Sequence, residues 1–193
     1  MARRFDPGRR ERIIAMAYSS IAVNGVRGTS NRVVAAMSNV PLGSMTYHFK
    51  NVDELLYEAF SRYVDEVEEL VGARLPPSLS REQAIDAVVQ LIHEDFGVEG
   101  GLDYRVNYEL YAMTSRDARY QKLLVDMTEA GRAALAHHFG DATARALNTY
   151  IEGATTHRAL QATAHTVEET RCVVRLLVAG VGGAQDVPRD AAR

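Results

Sequence analysis

The sequence of 193 residues predicts an all-α protein. Two observations lead to this fold class. Apolar residues recur at helical spacing along almost the whole chain, and no segment shows sustained period-two alternation between hairpin turns. Glycine and proline residues interrupt the helical pattern at intervals, which predicts about nine helices joined by short connections.

Caps and breakers set the predicted helix boundaries. Gly25 ends the first helix, Thr29 or Ser30 caps the second, and Pro76-Pro77 ends the fourth. Pro41 suits the first turn of the third helix, where its missing N–H is not needed. The predicted ranges are 8–24, 30–37, 41–48, 52–74, 81–96, 102–114, 117–139, 141–163 and 167–181.

The composition excludes several classes of protein. A single cysteine, Cys172, excludes a disulfide framework and a thiolate metal site within one chain, and its apolar helical surroundings predict inert packing. No run of about 18 apolar residues indicates a membrane span. The N-terminal arginines precede no apolar segment with a cleavage site, so a signal peptide is not indicated. We therefore expect a soluble, cytoplasmic protein.

The net charge of −3 conceals a strong asymmetry along the chain. Residues 1–52 contain eight basic and two acidic side chains, a net charge of +6. The remaining 141 residues contain 14 basic and 23 acidic side chains, a net charge of −9. A basic first quarter on an acidic remainder suggests a segment that binds polyanions and a body that avoids them.

The first fifty residues predict a helix, a tight turn and a second short helix, which is the arrangement of helix-turn-helix DNA-binding proteins. The turn needs a residue with positive φ, and Asn39 is the best non-glycine candidate. Val40 then fills the angle between the helices. On the second helix, Met45 and Phe49 are expected to face the core.

Four stretches of the N-terminal segment form one recognisable pattern. They are Ile13-Ile14 with Ala17, Gly25-Val26-Arg27-Gly28-Thr29-Ser30, Val40-Pro41-Leu42-Gly43-Ser44-Met45-Thr46-Tyr47-His48-Phe49-Lys50-Asn51 and Asp53-Glu54-Leu55-Leu56. With these residues, the segment resembles the DNA-binding domain of the TetR family of bacterial transcription regulators over about residues 9–56. Three positions depart from the pattern usual in that family, namely Asn39, Thr46 and Val52.

Side-chain chemistry and this register together predict the contacts with DNA. The expected phosphate contacts are Thr29, Ser30, Tyr47, His48 and Lys50. The expected neighbours of base edges are Leu42, Gly43, Ser44 and Thr46. An N-terminal arm is expected to reach phosphates or a minor groove, or else to be a disordered tail, and it contains Arg3, Arg4, Arg9 and Arg10.

The predicted domains are residues 1–51, which bind DNA, and residues 52–193, a helical body for effector binding and dimerisation. One helix-turn-helix makes few base contacts, so specific binding needs two of them at a fixed spacing. The resemblance implies a homodimer formed by the last two helices; ordinary packing within the chain is the alternative. The expected dimer residues are Leu147, Tyr150, Ile151, Ala154, Arg158, Val173, Leu176 and Leu177.

The body contains many aromatic residues, and three tyrosines share one helical face at positions 104, 108 and 111. Such a stripe is more often core than pocket, but the resemblance implies an effector cavity among the central helices. A hydrophobic or aromatic small molecule is the expected ligand. The candidate effector residues are Tyr63, His93, Tyr104, Asn107, Tyr108, Tyr111, Met127 and Thr155.

These features predict a repressor that binds a palindromic operator as a homodimer and is released by a small-molecule effector. The alternative is a helical DNA-binding regulator that lacks a small-molecule pocket and is controlled by a protein partner. No phosphate loop, dinucleotide fingerprint or nucleophile motif is present, so neither an enzyme nor a cofactor is expected. His93, Glu94 and Asp95 are adjacent and point in different directions on a helix, so no metal site is expected there.

Overall fold

The structure, a computed structural model, describes residues 6–96, 104–160 and 165–183. Over these residues the chain forms nine α-helices and one π-helical turn, with no strand, which confirms the predicted all-α class. The sequence predicts that Gly97 and Gly100-Gly101 end the fifth helix, but these glycines lie outside the described residues, as do residues 102–103 of the sixth and 161–163 of the eighth predicted helix. The helices are α1 (Arg9–Gly28), α2 (Asn31–Met37), α3 (Leu42–His48), α4 (Val52–Arg74), α5 (Arg81–Gln90), α6 (Tyr104–Thr114), α7 (Ala118–Phe139), α8 (Asp141–Leu160) and α9 (Val167–Gly183), with the π-helical turn at Leu91–Asp95.

The chain divides into two compact units. The first comprises Met1–Glu66 and Arg105–Val125, and the second comprises Val67–Tyr104 and Asp126–Arg193. The first unit therefore contains α6 from Arg105 onward and the beginning of α7 in addition to the N-terminal helices. The predicted division into residues 1–51 and 52–193 concerns function, and it stays a prediction.

Aromatic side chains form part of the core of the first unit. Tyr120 of α7 is buried, and its ring lies edge-on to Phe60 with 5.5 Å between ring centroids and to Tyr57 with 5.8 Å. Burial raises the pKa of the Tyr120 hydroxyl to about 12, so the phenol stays neutral at physiological pH. Paired rings of this geometry add to the stabilisation that burial provides.

Helix α1 contains a break at Gly25. This residue has φ 67° and ψ 173°, a region that only glycine adopts readily, and the helix resumes for one further turn to Gly28. The predicted end at Gly25 is therefore correct for the regular part of α1, but α1 continues for one turn beyond this residue. Only Thr29 separates the end of α1 from Ser30, the N-cap of α2. The side chain of Ser30 accepts a hydrogen bond from the Val33 N–H at 3.3 Å.

The turn between α2 and α3 has the predicted conformation. Asn39 has φ 52°, which confirms its expected left-handed backbone. Met45 and Phe49 are both buried, as predicted. The helical periodicity of α2 predicts that Val33, Val34 and Met37 face inward; Val34 is buried, whereas Met37 is exposed.

A reciprocal pair of hydrogen bonds fixes the start of α4. The Asn51 side-chain oxygen accepts from the Glu54 N–H at 2.9 Å, and the Glu54 carboxylate accepts from the Lys50 N–H at 2.6 Å. This arrangement satisfies backbone donors that the first turn of any helix leaves unpaired. It also fixes the chain direction between α3 and α4.

In the second unit, α5 starts with a capping box between Ser80 and Gln83 and ends at a π-helical turn that the sequence did not predict. Two long-range contacts hold this turn. The Arg74 guanidinium donates two hydrogen bonds to the buried Asp95 carboxylate, at 2.7 and 2.8 Å. The His93 Nε2 lies 2.8 Å from the Thr170 hydroxyl of α9.

Cys172 of α9 is exposed, so the prediction that this cysteine is packed inside the protein is wrong. The residues of α9 that face its own unit are Thr170, Val174 and Val178, which recur at intervals of four. Cys172 lies on the opposite side of the helix. Among the described residues, no helix is both long and apolar enough to span a membrane.

Candidate nucleic-acid interface and regulatory residues

Helix α3 presents one exposed side. Leu42, Gly43, Thr46 and Tyr47 are all exposed, and Tyr47 is the most exposed of them at 79%. A Cβ atom added to Gly43 would meet no atom within 4 Å, so the surface around this residue is open. Near the helix N-terminus this side carries an apolar leucine and an open glycine, and further along it carries a hydroxyl and a phenol. The combination is suited to base edges and phosphates.

Ser44 lies on the other side of α3. Its side chain is only 1% exposed, and its hydroxyl has no hydrogen-bond partner among the described residues. This burial argues against the predicted base contact of Ser44, since the hydroxyl faces the core. The neighbouring Thr46 is exposed and donates its hydroxyl to the Gly43 carbonyl at 3.2 Å.

The predicted phosphate contacts divide into exposed and buried residues. Ser30, Tyr47 and Lys50 are exposed. Thr29 is 5% exposed, and its hydroxyl donates to the Gly25 carbonyl at 2.9 Å. The structure thus gives Thr29 a structural role, and its contact with phosphate stays a prediction.

His48 is half-buried at the end of α3, and its ring lies edge-on to Tyr47 with 4.9 Å between centroids. Burial lowers the pKa of His48, and the nearby positive charges of Arg9 and Arg10 lower it further. These effects favour the neutral imidazole, which can both donate and accept a hydrogen bond.

The predicted N-terminal arm is described only from residue 6 onward, so Arg3 and Arg4 lie outside the described residues. Arg10 donates to the Glu58 carboxylate at 2.7 Å and lies over the Phe49 ring, 5.3 Å from its centroid. Arg9 lies 3.8 Å from the Asp6 carboxylate. These two arginines therefore interact with the protein itself rather than forming a free arm.

Four of the predicted effector residues lie in the first unit. Tyr63 is buried with its ring 6.3 Å from that of Tyr18, and Asn107 is also buried. Tyr108 is half-buried and lines a cavity of about 350 Å³, whereas Tyr111 is exposed. The cavity lining comprises Ile21, Ala22, Val23 and Gly25 of α1 with Arg105, Tyr108, Glu109 and Ala112 of α6.

The other four lie in the second unit. Tyr104 is buried, and its hydroxyl donates to the Glu152 carbonyl at 3.1 Å. Thr155 is buried on α8, and Met127 lines a small cavity of about 80 Å³ between residues of α4 and α7. His93 completes the set at the π-helical turn. Whether any of these eight residues binds an effector stays a prediction.

The predicted dimer residues differ in how far the chain itself covers them. Leu147, Ile151 and Ala154 are buried within the second unit, which favours packing inside the chain at these three positions. Tyr150, Arg158, Val173 and Leu177 are half-buried. Leu176 is 65% exposed.

Sequence reasoning missed further exposed apolar residues on the same two helices. Leu160 of α8 is 71% exposed, and Val167 of α9 is exposed as well. Cβ atoms added to Gly153 or Gly180 would meet no atom within 4 Å. The helical wheel gives no signal for Val167, because it lies seven positions before the buried Val174 and therefore on the same side of α9.

The geometry defines a class of protein: a helix-turn-helix DNA-binding domain attached to a helical body. Comparisons with protein-family models and with curated proteins find no match. Solved structures do match. SCO7518 of Streptomyces coelicolor A3(2), described as a transcriptional regulator, is 37% identical over 89% of this chain and 99% of its own, with a TM-score of 0.79.

Two further structures are similar. The multidrug binding protein EbrR, in complex with imidazole, is 30% identical over 89% of this chain and 96% of its own, with a TM-score of 0.68. It has also been crystallised with proflavin, ethidium and malachite green. SCO1917, a TetR-family member from Streptomyces coelicolor A3, is 29% identical over 89% of this chain and 98% of its own, with a TM-score of 0.73. The chain belongs to the TetR family of transcriptional regulators.

The lowered pKa of His93 predicts how the stability of the protein changes with pH. Burial lowers its pKa from the ordinary 6.5, and the charge of Arg158 lowers it further. The unfolded chain therefore binds this proton at a higher pH than the folded chain does, so stability is lost as the pH falls below about 6.5. The free energy of unfolding of the wild type, measured by urea titration, should decrease more between pH 7.5 and 5.5 than that of His93→Gln.

His157→Gln is the control for this measurement, because it removes an exposed imidazole from α8. It should show the same pH dependence as the wild type. Equal pH dependence of His93→Gln and the wild type would contradict the prediction.

Proposed function

We propose that this TetR-family regulator is a repressor that binds a palindromic DNA operator as a homodimer and dissociates when a small-molecule effector binds its body. The observation that carries the proposal is the exposed side of α3, which has Leu42, Gly43, Thr46 and Tyr47 on a helix whose other side is buried. A regulator of this kind acts on cytoplasmic DNA and catalyses no reaction.

In this proposal the residues of α3 have separate roles. Tyr47 and Lys50 contact phosphates and fix the position of the helix, which gives affinity without sequence information. Leu42 and Thr46 read base edges, Leu42 through a thymine methyl group and Thr46 through its hydroxyl. Ser30, at the N-terminus of α2, supplies a further phosphate contact.

Dimerisation is supported by the exposed apolar residues of α8 and α9. Leu160 and Leu176 are both more than half exposed in the single chain. Large apolar side chains that are exposed in a single chain are typical of surfaces that become buried in an assembly. A second copy related by a two-fold axis would cover the same patch on both subunits, as in a four-helix bundle between subunits.

Selection of bound DNA from a random pool tests the whole proposal. The full-length protein should enrich a palindrome whose half-sites lie at least one helical turn apart, because two identical α3 helices would read them. Enrichment of no sequence, or of a single unrepeated half-site, would overturn the proposed dimeric operator complex.

Substitutions on α3 should separate affinity from specificity. Lys50→Ala should weaken binding to all sequences and reduce the slope of log affinity against log salt by about 1. Thr46→Ala should change the preferred base at one position of the half-site, by about 1–3 kcal/mol. Gel shifts against the selected operator and its single-base variants measure both effects.

Ser44→Ala is the matched control, since its hydroxyl is buried beside the exposed Thr46. It should leave base preference unchanged. A changed preference in Ser44→Ala, together with none in Thr46→Ala, would reverse the assignment of the reading side of α3.

Leu176→Glu should abolish the dimer. The substitution places a charge on a surface that the second copy would bury, which costs about 3 kcal/mol or more, or at least about a hundredfold in affinity. Analytical ultracentrifugation should show a monomer, and operator binding should fall with it. Val125→Glu, on an exposed apolar residue of α7, should stay dimeric. A Leu176→Glu protein that remains a dimer would contradict the proposed interface.

Effector binding is tested with the dyes that EbrR binds. Ethidium, proflavin or malachite green at a concentration of about 100 Kd should stabilise the folded protein by about 2.7 kcal/mol and release it from the operator. Because the chain has no Trp, circular dichroism is the readout for unfolding. If a broad panel of aromatic molecules gives neither effect, control by a protein partner becomes the better explanation.

A further inference from the structure

The chain direction between α1 and α2 depends on the backbone of Gly25. Its φ of 67° and ψ of 173° break α1 and start a final turn, Val26–Gly28, that leads to the cap of α2. Only glycine adopts this region without considerable strain. Since α2 is the first helix of the helix-turn-helix, its placement depends on how this final turn is held.

A residue of α6 holds the final turn. The Glu109 carboxylate accepts a hydrogen bond from the Val26 N–H at 3.2 Å, in the manner of a side chain that caps a helix N-terminus. Its other oxygen would lie 2.6 Å from a Cβ atom at position 25, closer than atoms tolerate. Glycine is therefore needed at position 25 because of its backbone conformation, and a Cβ atom there would also displace the Glu109 carboxylate from its hydrogen bond.

The hydroxyl of Thr29 connects the break at Gly25 to the start of α2. The Thr29 hydroxyl donates to the Gly25 carbonyl at 2.9 Å and lies 2.9 Å from the Ser20 hydroxyl. Thr29 and Ser20 are both buried. A change in the final turn of α1 therefore reaches the residue that directly precedes the α2 cap.

The Glu109 carboxylate also borders open space. The cavity of about 350 Å³ between α1 and α6 is lined by Glu109 together with Gly25 and Tyr108. A side chain beside open space can change rotamer without displacing its packed neighbours. Loss of the hydrogen bond to the Val26 N–H would therefore leave the core around it in place.

We propose that Glu109 is a positioning residue for DNA binding, which holds the junction of α1 and α2 in the conformation that α3 needs to read an operator. The inference rests on the proposed DNA-binding function. It means that the position of α6 is transmitted to the reading helix through a hydrogen bond to the Val26 N–H.

Two substitutions of Glu109 separate this role from a general effect on folding. Glu109→Ala removes the acceptor and should lower operator affinity about fivefold, the usual size of an N-terminal capping contact. Glu109→Gln keeps an oxygen acceptor without the charge and should stay within about twofold of the wild type. Glu129→Ala, an exposed carboxylate on α7, controls for the loss of negative charge and should bind as the wild type does.

A second measurement needs no DNA. The exchange rate of the Val26 amide proton, measured by NMR on the full chain, should rise in Glu109→Ala and stay near the wild-type rate in Glu109→Gln. Because it reports the hydrogen bond itself, this measurement separates failure of the inference from failure of the proposed function. If the wild type binds no selected DNA, the proposed function fails, and faster Val26 exchange still shows that Glu109 holds the junction.

Three results would overturn the inference. One is a Glu109→Ala protein with wild-type operator affinity. Another is a Glu109→Gln protein as weak as Glu109→Ala, because the effect would then belong to charge and not to the hydrogen bond. The third is an unchanged Val26 exchange rate in Glu109→Ala.

Discussion

A helix of seven residues is not stable alone in water, and this constraint governs the DNA-reading part of the protein. Helix α3 persists because Met45 and Phe49 are buried beneath it and because the Asn39 turn joins it to α2. The burial of one side fixes which residues the other side presents. The exposed set of Leu42, Gly43 and Tyr47 is thus a consequence of core packing.

Most of the fold was predictable because periodicity records burial directly. The ranges of α4 and α7 follow from apolar spacing and from breakers, and the turn at Asn39 follows from the steric cost of positive φ. The π-helical turn at residues 91–95 was not predictable, because Arg74 and Thr170, which hold its side chains, are distant in sequence.

The functional residues were harder to predict than the helices. Helical spacing predicts that a residue is buried but does not predict whether the same chain or a second copy buries it. The sequence therefore predicts Leu147 and Ile151 as dimer residues, although the chain itself buries them. Ser44 shows the same limit on α3: a small polar residue is compatible with either side of a helix. Glu109 carried no local signal at all, since its partner Val26 lies 83 positions away.

The contacts of the N-terminal arginines change the meaning of the charge asymmetry. Binding of a basic protein to DNA is driven largely by the release of the counterions that surround the phosphates, and each released ion requires a free cationic side chain. Arg10 pairs with Glu58 and Arg12 pairs with Asp6, each at 2.7 Å. Asp6 is already included in the net charge of +6, whereas Glu58 lies outside residues 1–52, so its pairing with Arg10 lowers the effective charge of the segment by one. In the proposed complex with DNA, this segment would therefore release fewer counterions than its eight basic side chains suggest, and its affinity would depend less steeply on salt concentration.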